Sequence, residues 1–115
     1  MPSEETQQAA LADIARNIRH AQCFVSSMEY EAFCGNTLVF YAVTRCLEIV
    51  SEASRRLSDE IKNRHPELPW RNIAAAGNIY RHSYEDVQQQ LVWSTVRDHL
   101  PPLLAAVEAE IARAS

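Results

Sequence analysis

The chain has 115 residues, a length that suits a single domain spanning residues 1–115. Its net charge of −4 argues against nonspecific DNA binding, because that affinity comes from many contacts between cations and phosphates. No apolar run approaches the ~20 residues of a transmembrane helix, and the acidic start does not resemble a signal peptide, so we expect no membrane association.

The first half of the chain predicts two long helices. Apolar residues recur at steps of three and four from Leu11 to Met28, which predicts a first amphipathic helix over about residues 3–30. Gly35 breaks the pattern, and Asn36 can cap the next helix. The same spacing predicts a second helix over about residues 37–65, ended by Pro66 and antiparallel to the first.

The second half predicts shorter helices. A third helix begins at Pro69-Trp70 and stops near His82, and a fourth begins around Glu85. Pro101-Pro102 predicts a kink, or a break into a short fifth helix. No strand-like alternation appears. The sequence therefore predicts an all-α, up-and-down bundle of four to five helices.

Three cysteines are too few and too widely spaced for a disulfide framework, which favours reduced thiols in the cytoplasm. His20 and Cys23 could share a helix face as a metal-binding pair, but no second pair completes a tetrahedral site. We therefore expect no metal and no cofactor.

Residues able to act on a phosphate cluster at the predicted end of the third helix. Asn78 and His82 are four residues apart, so they share a helix face, and Arg81 and Tyr84 flank them. An amide, an imidazole and a cation at one helix end suit a phosphate group. Each residue also has a purely structural interpretation. His82 could bind the carbonyls at the end of the helix, and Arg81 and Asn78 could be exposed to solvent. Tyr84 could be a packed aromatic residue.

Several blocks together resemble the HepT-like proteins, a branch of the HEPN superfamily, over nearly the whole chain. These blocks are residues 42–53 (AVTRCLEIVSEA), 66–71 (PELPWR), 78–84 (NIYRHSY) and 93–96 (WSTV), the last ahead of Leu100-Pro101.

This resemblance implies a homodimeric four-to-five-helix bundle that is the toxin of a toxin–antitoxin pair. Such toxins are metal-independent endoribonucleases that cut RNA, and their partner is a nucleotidyltransferase called MntA. In the family, an Arg-Asn…His-x-Tyr motif carries the activity, and the antitoxin transfers AMP onto its Tyr. The matching positions here are Asn78, His82 and Tyr84.

The chain departs from the family pattern at one position, because Gly77 stands where the family has the Arg before the Asn. Arg81, beside His82, is the first candidate to supply the missing cation. Arg45 and Arg71 also lie in matched blocks, and Arg45 could pair with Glu48 on the second helix.

Two functions follow from this departure. The first is an active ribonuclease in which His82 is the general acid or base, Arg81 stabilises the phosphate charge and Asn78 orients the site. Because one His supplies one proton role, a dimer that brings two His82 side chains together would supply both. The second is a catalytically weakened or inactive bundle that only docks a nucleotidyltransferase or binds a nucleotide.

Overall fold

The computed structural model describes the backbone of residues 3–82 and 85–115, and the side chains of these residues other than 78–87. Its regular structure is helical throughout this part of the chain, which confirms the predicted all-α class. In chain order the elements are α1 (Glu4–Val25), α2 (Tyr30–Cys34), α3 (Thr37–Ser54), α4 (Asp59–Arg64), α5 (Trp70–His82), α6 (Glu85–Ser94), a π-helical turn (Thr95–His99) and α7 (Leu100–Ala114).

The first helix is shorter than the sequence predicts. It begins after Ser3, whose hydroxyl accepts the Thr6 N–H at 3.0 Å, and ends at Val25 instead of continuing to Tyr30. Ser26 ends it, because both its hydroxyl and its N–H donate to the Cys23 carbonyl. Serine side chains compete with the helical backbone in this way, so the apolar periodicity alone overestimates the length.

The predicted second helix is in fact two helices, α3 and α4. Asn36 caps α3 as expected, accepting the Val39 N–H at 3.0 Å. The helix ends at Ser54, and Ser58 then caps α4 by accepting the Ile61 N–H at 3.3 Å. An N-cap serine followed by acidic residues starts a new helix, which explains why the helix divides although the apolar periodicity runs unbroken from Val39 to Ile61.

A further helix begins at the predicted break, since α7 starts at Leu100 directly before Pro101-Pro102. These prolines stand at the first positions of α7. The N–H groups at such positions have no acceptor within their own helix, so proline loses no hydrogen bond there. The chain reaches them through the π-helical turn, in which the Leu100 N–H donates to the Thr95 carbonyl five residues earlier. Helical structure is therefore continuous from Glu85 to Ala114.

The bundle is built on α1 and α3, which pack together most extensively, with α5 against α3 and α7 against α1. Gln7 at the start of α1 contacts the residues just after α3, so these two helices are antiparallel, as predicted. The apolar faces form one core that includes Ile14, Ile18, Val43 and Val107, each at most 1% exposed.

Replacing Gln7 with alanine is expected to lower the free energy of unfolding by about 2 kcal/mol, because buried backbone groups would lose their partners. The Gln7 side chain donates to the Arg56 carbonyl at 2.8 Å and accepts the Ser58 N–H at 2.7 Å. Denaturant unfolding measures the change, and Gln8→Ala on the next position is the control. Equal stability of the two variants would show that water replaces these bonds.

Candidate functional site

Helix α5 carries the motif, and its first turn is fixed to the rest of the bundle by His65. The Trp70 indole N–H donates to the His65 carbonyl at 3.0 Å, and the Ile73 N–H donates to the Pro69 carbonyl at 2.9 Å. The His65 ring contacts the Glu110 carboxylate of α7 at 2.7 Å. The start of α5 is therefore positioned by α4 and α7.

The middle of α5 is fixed to α3 through Ser51. The Ser51 hydroxyl donates to the Ala74 carbonyl at 2.9 Å and accepts the Gly77 N–H at 3.2 Å. Both Ser51 and Gly77 are buried. Gly77, at the position where the resemblance implies an Arg, thus lies where the two helices approach each other.

Gly77→Ala is expected to raise the free energy of unfolding by up to ~1 kcal/mol, since alanine is the better helix former. A Cβ at residue 77 would meet the Ser51 Oγ at 3.4 Å, which is ordinary contact. The matched control is Ala75→Gly, on the exposed side of the same turn, which should lower stability by a similar amount. A fall in the thermal midpoint of Gly77→Ala would mean that the helices cannot accept one methyl group.

The central motif residues have their backbone in the last turns of α5. Asn78, Arg81 and His82 belong to α5, but their side chains lie outside the described residues, and Tyr84 lies outside them entirely. Because α5 is continuous to His82, positions 78 and 82 stand one turn apart on one face. Their roles remain predictions.

The three supporting candidates are spread over two helices. Arg71 is exposed on α5 and stands on the same helical stripe as residues 78 and 82, seven and eleven positions earlier. Arg45 and Glu48 form the expected intrahelical ion pair on α3, with 3.8 Å between Nη1 and Oε1. The Arg45 side chain is 71% exposed. Among the described side chains, none forms an ion pair with Arg71.

Sequence reasoning missed two α3 residues that contact α5. Ser51 and Arg55 are four residues apart, and both donate to the Ala74 carbonyl, Arg55 through Nη1 at 3.2 Å. Spacing along α3 shows that the two share a face. It does not show which turn of α5 they meet, because that depends on the packing of two helices distant in sequence.

A cavity of about 460 Å³ lies on a different face of α5, between α3 and the start of α7. Asn72, Ile73 and Ala76 contribute the α5 wall, and the lining is mostly apolar. No Lys or Arg lines it. The cavity therefore lacks the cations that would hold a phosphate, unlike the faces of α5 next to Arg55 and Arg71.

Among the described side chains, no group of three or more His, Cys, Asp or Glu residues could hold a metal ion. The three cysteines are free, and burial raises the pKa of the Cys46 thiol, which makes its reactive thiolate scarcer. No helix among the described residues has the length and apolar character needed to cross a membrane.

Known proteins place this bundle in a family. The family described as "Ribonuclease HepT-like" matches residues 14–110. The protein named "Probable ribonuclease HepT" of Thermococcus cleftensis is 35% identical over 98 residues, covering 85% of this chain and 89% of its own. "Putative RNase MJ1380" of Methanocaldococcus jannaschii is 31% identical over 106 residues, covering 92% of this chain and 97% of its own. No solved structure matches.

The chain therefore belongs to the HepT-like ribonuclease family, as the motif blocks indicate. The match spans α4, α5 and the part of α7 up to Glu110, the residue that contacts His65. Membership in this family makes the last turns of α5, with Asn78 and His82, the candidate active site.

Proposed function

We propose that this protein is a metal-independent endoribonuclease toxin that acts in the cytoplasm as a homodimer and is silenced by an MntA-like nucleotidyltransferase. One observation carries the proposal: in a chain of the HepT-like ribonuclease family, α5 continues unbroken to His82 and keeps Asn78 one turn before it. The positions that carry the amide and the imidazole needed for phosphate chemistry thus belong to one face of the helix.

The proposed reaction uses the RNA itself as nucleophile. His82 takes the proton of a 2′-hydroxyl, the 2′-oxygen attacks the adjacent phosphorus, and the bond to the 5′-oxygen breaks. The departing 5′-oxygen is protonated by an acid, and the products are a 2′,3′-cyclic phosphate and a 5′-hydroxyl. Asn78 orients the reacting groups, and Arg81 stabilises the charge that develops on the phosphate.

Arg81 is well placed in sequence to compensate for Gly77. It comes four residues after Gly77, so it stands on the same side of α5 one turn later. The backbone positions 77 and 81 thus belong to one face of α5, which is the placement that a compensating cation requires.

A homodimer would complete the site, since one chain supplies one His82. Two imidazoles in a shared cleft provide both the base and the acid that the reaction needs. An exposed apolar pair on α3 supports an interface: Leu38 is 79% exposed, and Tyr41, one turn further, is 66% exposed. Large exposed apolar side chains in a monomer favour contact with another protein surface.

The proposal is tested with purified protein and a single-stranded RNA in the presence of EDTA. We expect cleavage that EDTA does not reduce and products that end in a 2′,3′-cyclic phosphate. If EDTA abolished cleavage and added Mg²⁺ restored it, the metal-independent mechanism would be overturned.

Silencing is tested by adding a purified MntA-like nucleotidyltransferase together with ATP. Cleavage by the wild type should fall as AMP is attached, whereas Tyr84→Phe should stay active and unmodified, because it lacks the phenol that accepts AMP. Tyr80→Phe is the matched control and should be silenced normally. Modification of Tyr84→Phe would exclude Tyr84 as the acceptor.

Gly77, at the position where the family resemblance implies an Arg, favours a second candidate function. In this alternative the protein is an inactive bundle that docks a nucleotidyltransferase. That function predicts a stable complex with the partner and no RNA cleavage. Gly77→Arg separates the two: creation of cleavage where the wild type has none would support the docking module, whereas cleavage by the wild type would exclude it.

A further inference from the structure

Arg55, directly after α3, reaches the α5 backbone next to the motif. Its Nη1 donates to the Ala74 carbonyl at 3.2 Å. In an α-helix, the carbonyl of residue 74 is the one that pairs with the N–H of residue 78. The guanidinium of Arg55 therefore lies beside the turn of α5 from which the motif begins at Asn78.

We propose that Arg55 is a phosphate-binding residue of the ribonuclease site and supplies from α3 the cation that Gly77 lacks. The proposal rests on the proposed function and adds a residue that lies outside the family motif. It follows from one contact: the Arg55 guanidinium lies against the Ala74 carbonyl, one helical turn before Asn78.

The Arg55 side chain has donors to spare for a phosphate. A guanidinium carries five N–H groups, and one of them is used at Ala74. Arg55 is exposed, and no carboxylate among the described side chains forms an ion pair with it. By contrast, the neighbouring Arg56 is paired with Asp13 and Glu52. A partly free, planar guanidinium can bind two phosphate oxygens at once.

Gly77 and Ser51 explain how α3 brings Arg55 into this position. The Ser51 hydroxyl, one turn before Arg55, bonds both the Ala74 carbonyl and the Gly77 N–H. A Cβ at residue 77 would lie 3.4 Å from the Ser51 Oγ. The side chain of an Arg at this position would therefore leave the backbone inside the contact between α3 and α5. The chain thus has a glycine at residue 77 of α5 and an arginine, Arg55, at the end of α3 beside it.

The test compares Arg55→Gln, Arg55→Lys and Arg55→Ala in the purified full chain. Arg55→Gln keeps an N–H donor for Ala74 and loses the charge, whereas Arg55→Lys keeps the charge and loses the planar fork. We expect kcat/KM for a short single-stranded RNA to fall about 10- to 100-fold in Arg55→Gln and Arg55→Ala, and less in Arg55→Lys. Arg16→Ala, an exposed arginine on α1, is the control and should match the wild type.

Binding provides a readout that a merely structural role would not change. With RNA cleavage blocked by His82→Ala, adding Arg55→Gln should reduce the slope of log affinity against log salt by about 0.7, the value of one lost phosphate contact on a single strand. Circular dichroism and the thermal midpoint establish that each variant is folded.

The outcomes separate this proposal from the proposed function. Wild-type kcat/KM and an unchanged salt slope in Arg55→Gln, together with loss of cleavage in His82→Ala, would overturn the role of Arg55 and leave the ribonuclease intact. Absence of cleavage by the wild type would overturn the proposed function, and the salt slope would still decide whether Arg55 contacts RNA.

Discussion

His82→Ala is expected to lower the rate of RNA cleavage by a factor of about 10²–10⁴, the usual contribution of a positioned acid or base. The residual rate would come from the cations and the amide, which still bind the phosphate. Single-turnover cleavage of a labelled single-stranded RNA measures the chemical step without product release.

A matched histidine control is available on α1. His20 is exposed there and stacks on Phe24 with 6.0 Å between ring centroids, on a helix that carries no part of the α5 motif. His20→Ala should therefore cleave RNA like the wild type. If His82→Ala and His20→Ala had the same rate, the imidazole at 82 would have no part in the chemistry.

Glu110→Ala is expected to lower the free energy of unfolding by about 2 kcal/mol, because buried hydrogen-bonding groups would lose a charged partner. The Glu110 carboxylate is 6% exposed and accepts from the Arg64 guanidinium at 2.7 and 3.2 Å. It also contacts the His65 ring at 2.7 Å. Since His65 in turn fixes Trp70, the loss should also loosen the start of α5.

The same carboxylate gives the stability a defined pH dependence. Hydrogen bonds from Arg64, and to a lesser extent His65, hold the pKa of Glu110 below its ordinary value of 4.5 in the folded chain. Its contribution is therefore fully present above pH 4.5 and is lost as the pH falls below that value. Glu110→Gln should differ from the wild type by a constant amount at neutral pH and by less in acid.

Denaturant unfolding from pH 3 to pH 8 measures both effects. The control is Glu108→Ala, since Glu108 is 49% exposed in a surface ion pair with Arg19 and should contribute little. A stability difference between wild type and Glu110→Gln that stays constant down to pH 3 would contradict the pKa argument.

Much of the fold could be predicted from the sequence, because helical periodicity reports which residues face the core. The apolar positions that the spacing places on the core face are buried, namely Leu11, Ile14 and Ile18 on α1 and Val43, Cys46 and Val50 on α3. The helix ends were less predictable. Ser26 ends α1 and Ser58 begins α4 through local hydrogen bonds that the apolar pattern does not record.

The candidate site was predictable only where it follows from spacing within one helix. Asn78 and His82 are recognisable as a pair because they are four residues apart. Arg55 is not recognisable, since its contact with Ala74 joins residues 19 positions apart and depends on how α3 and α5 pack. The same packing explains Gly77, which the sequence presents only as a missing arginine.

The most direct test of the ribonuclease assignment is induced expression of the wild type and His82→Ala without any partner, with the integrity of cellular RNA measured in each. We predict degraded RNA and growth arrest with the wild type, and intact RNA and normal growth with His82→Ala. Intact RNA and normal growth in both, with soluble protein confirmed, would contradict the assignment.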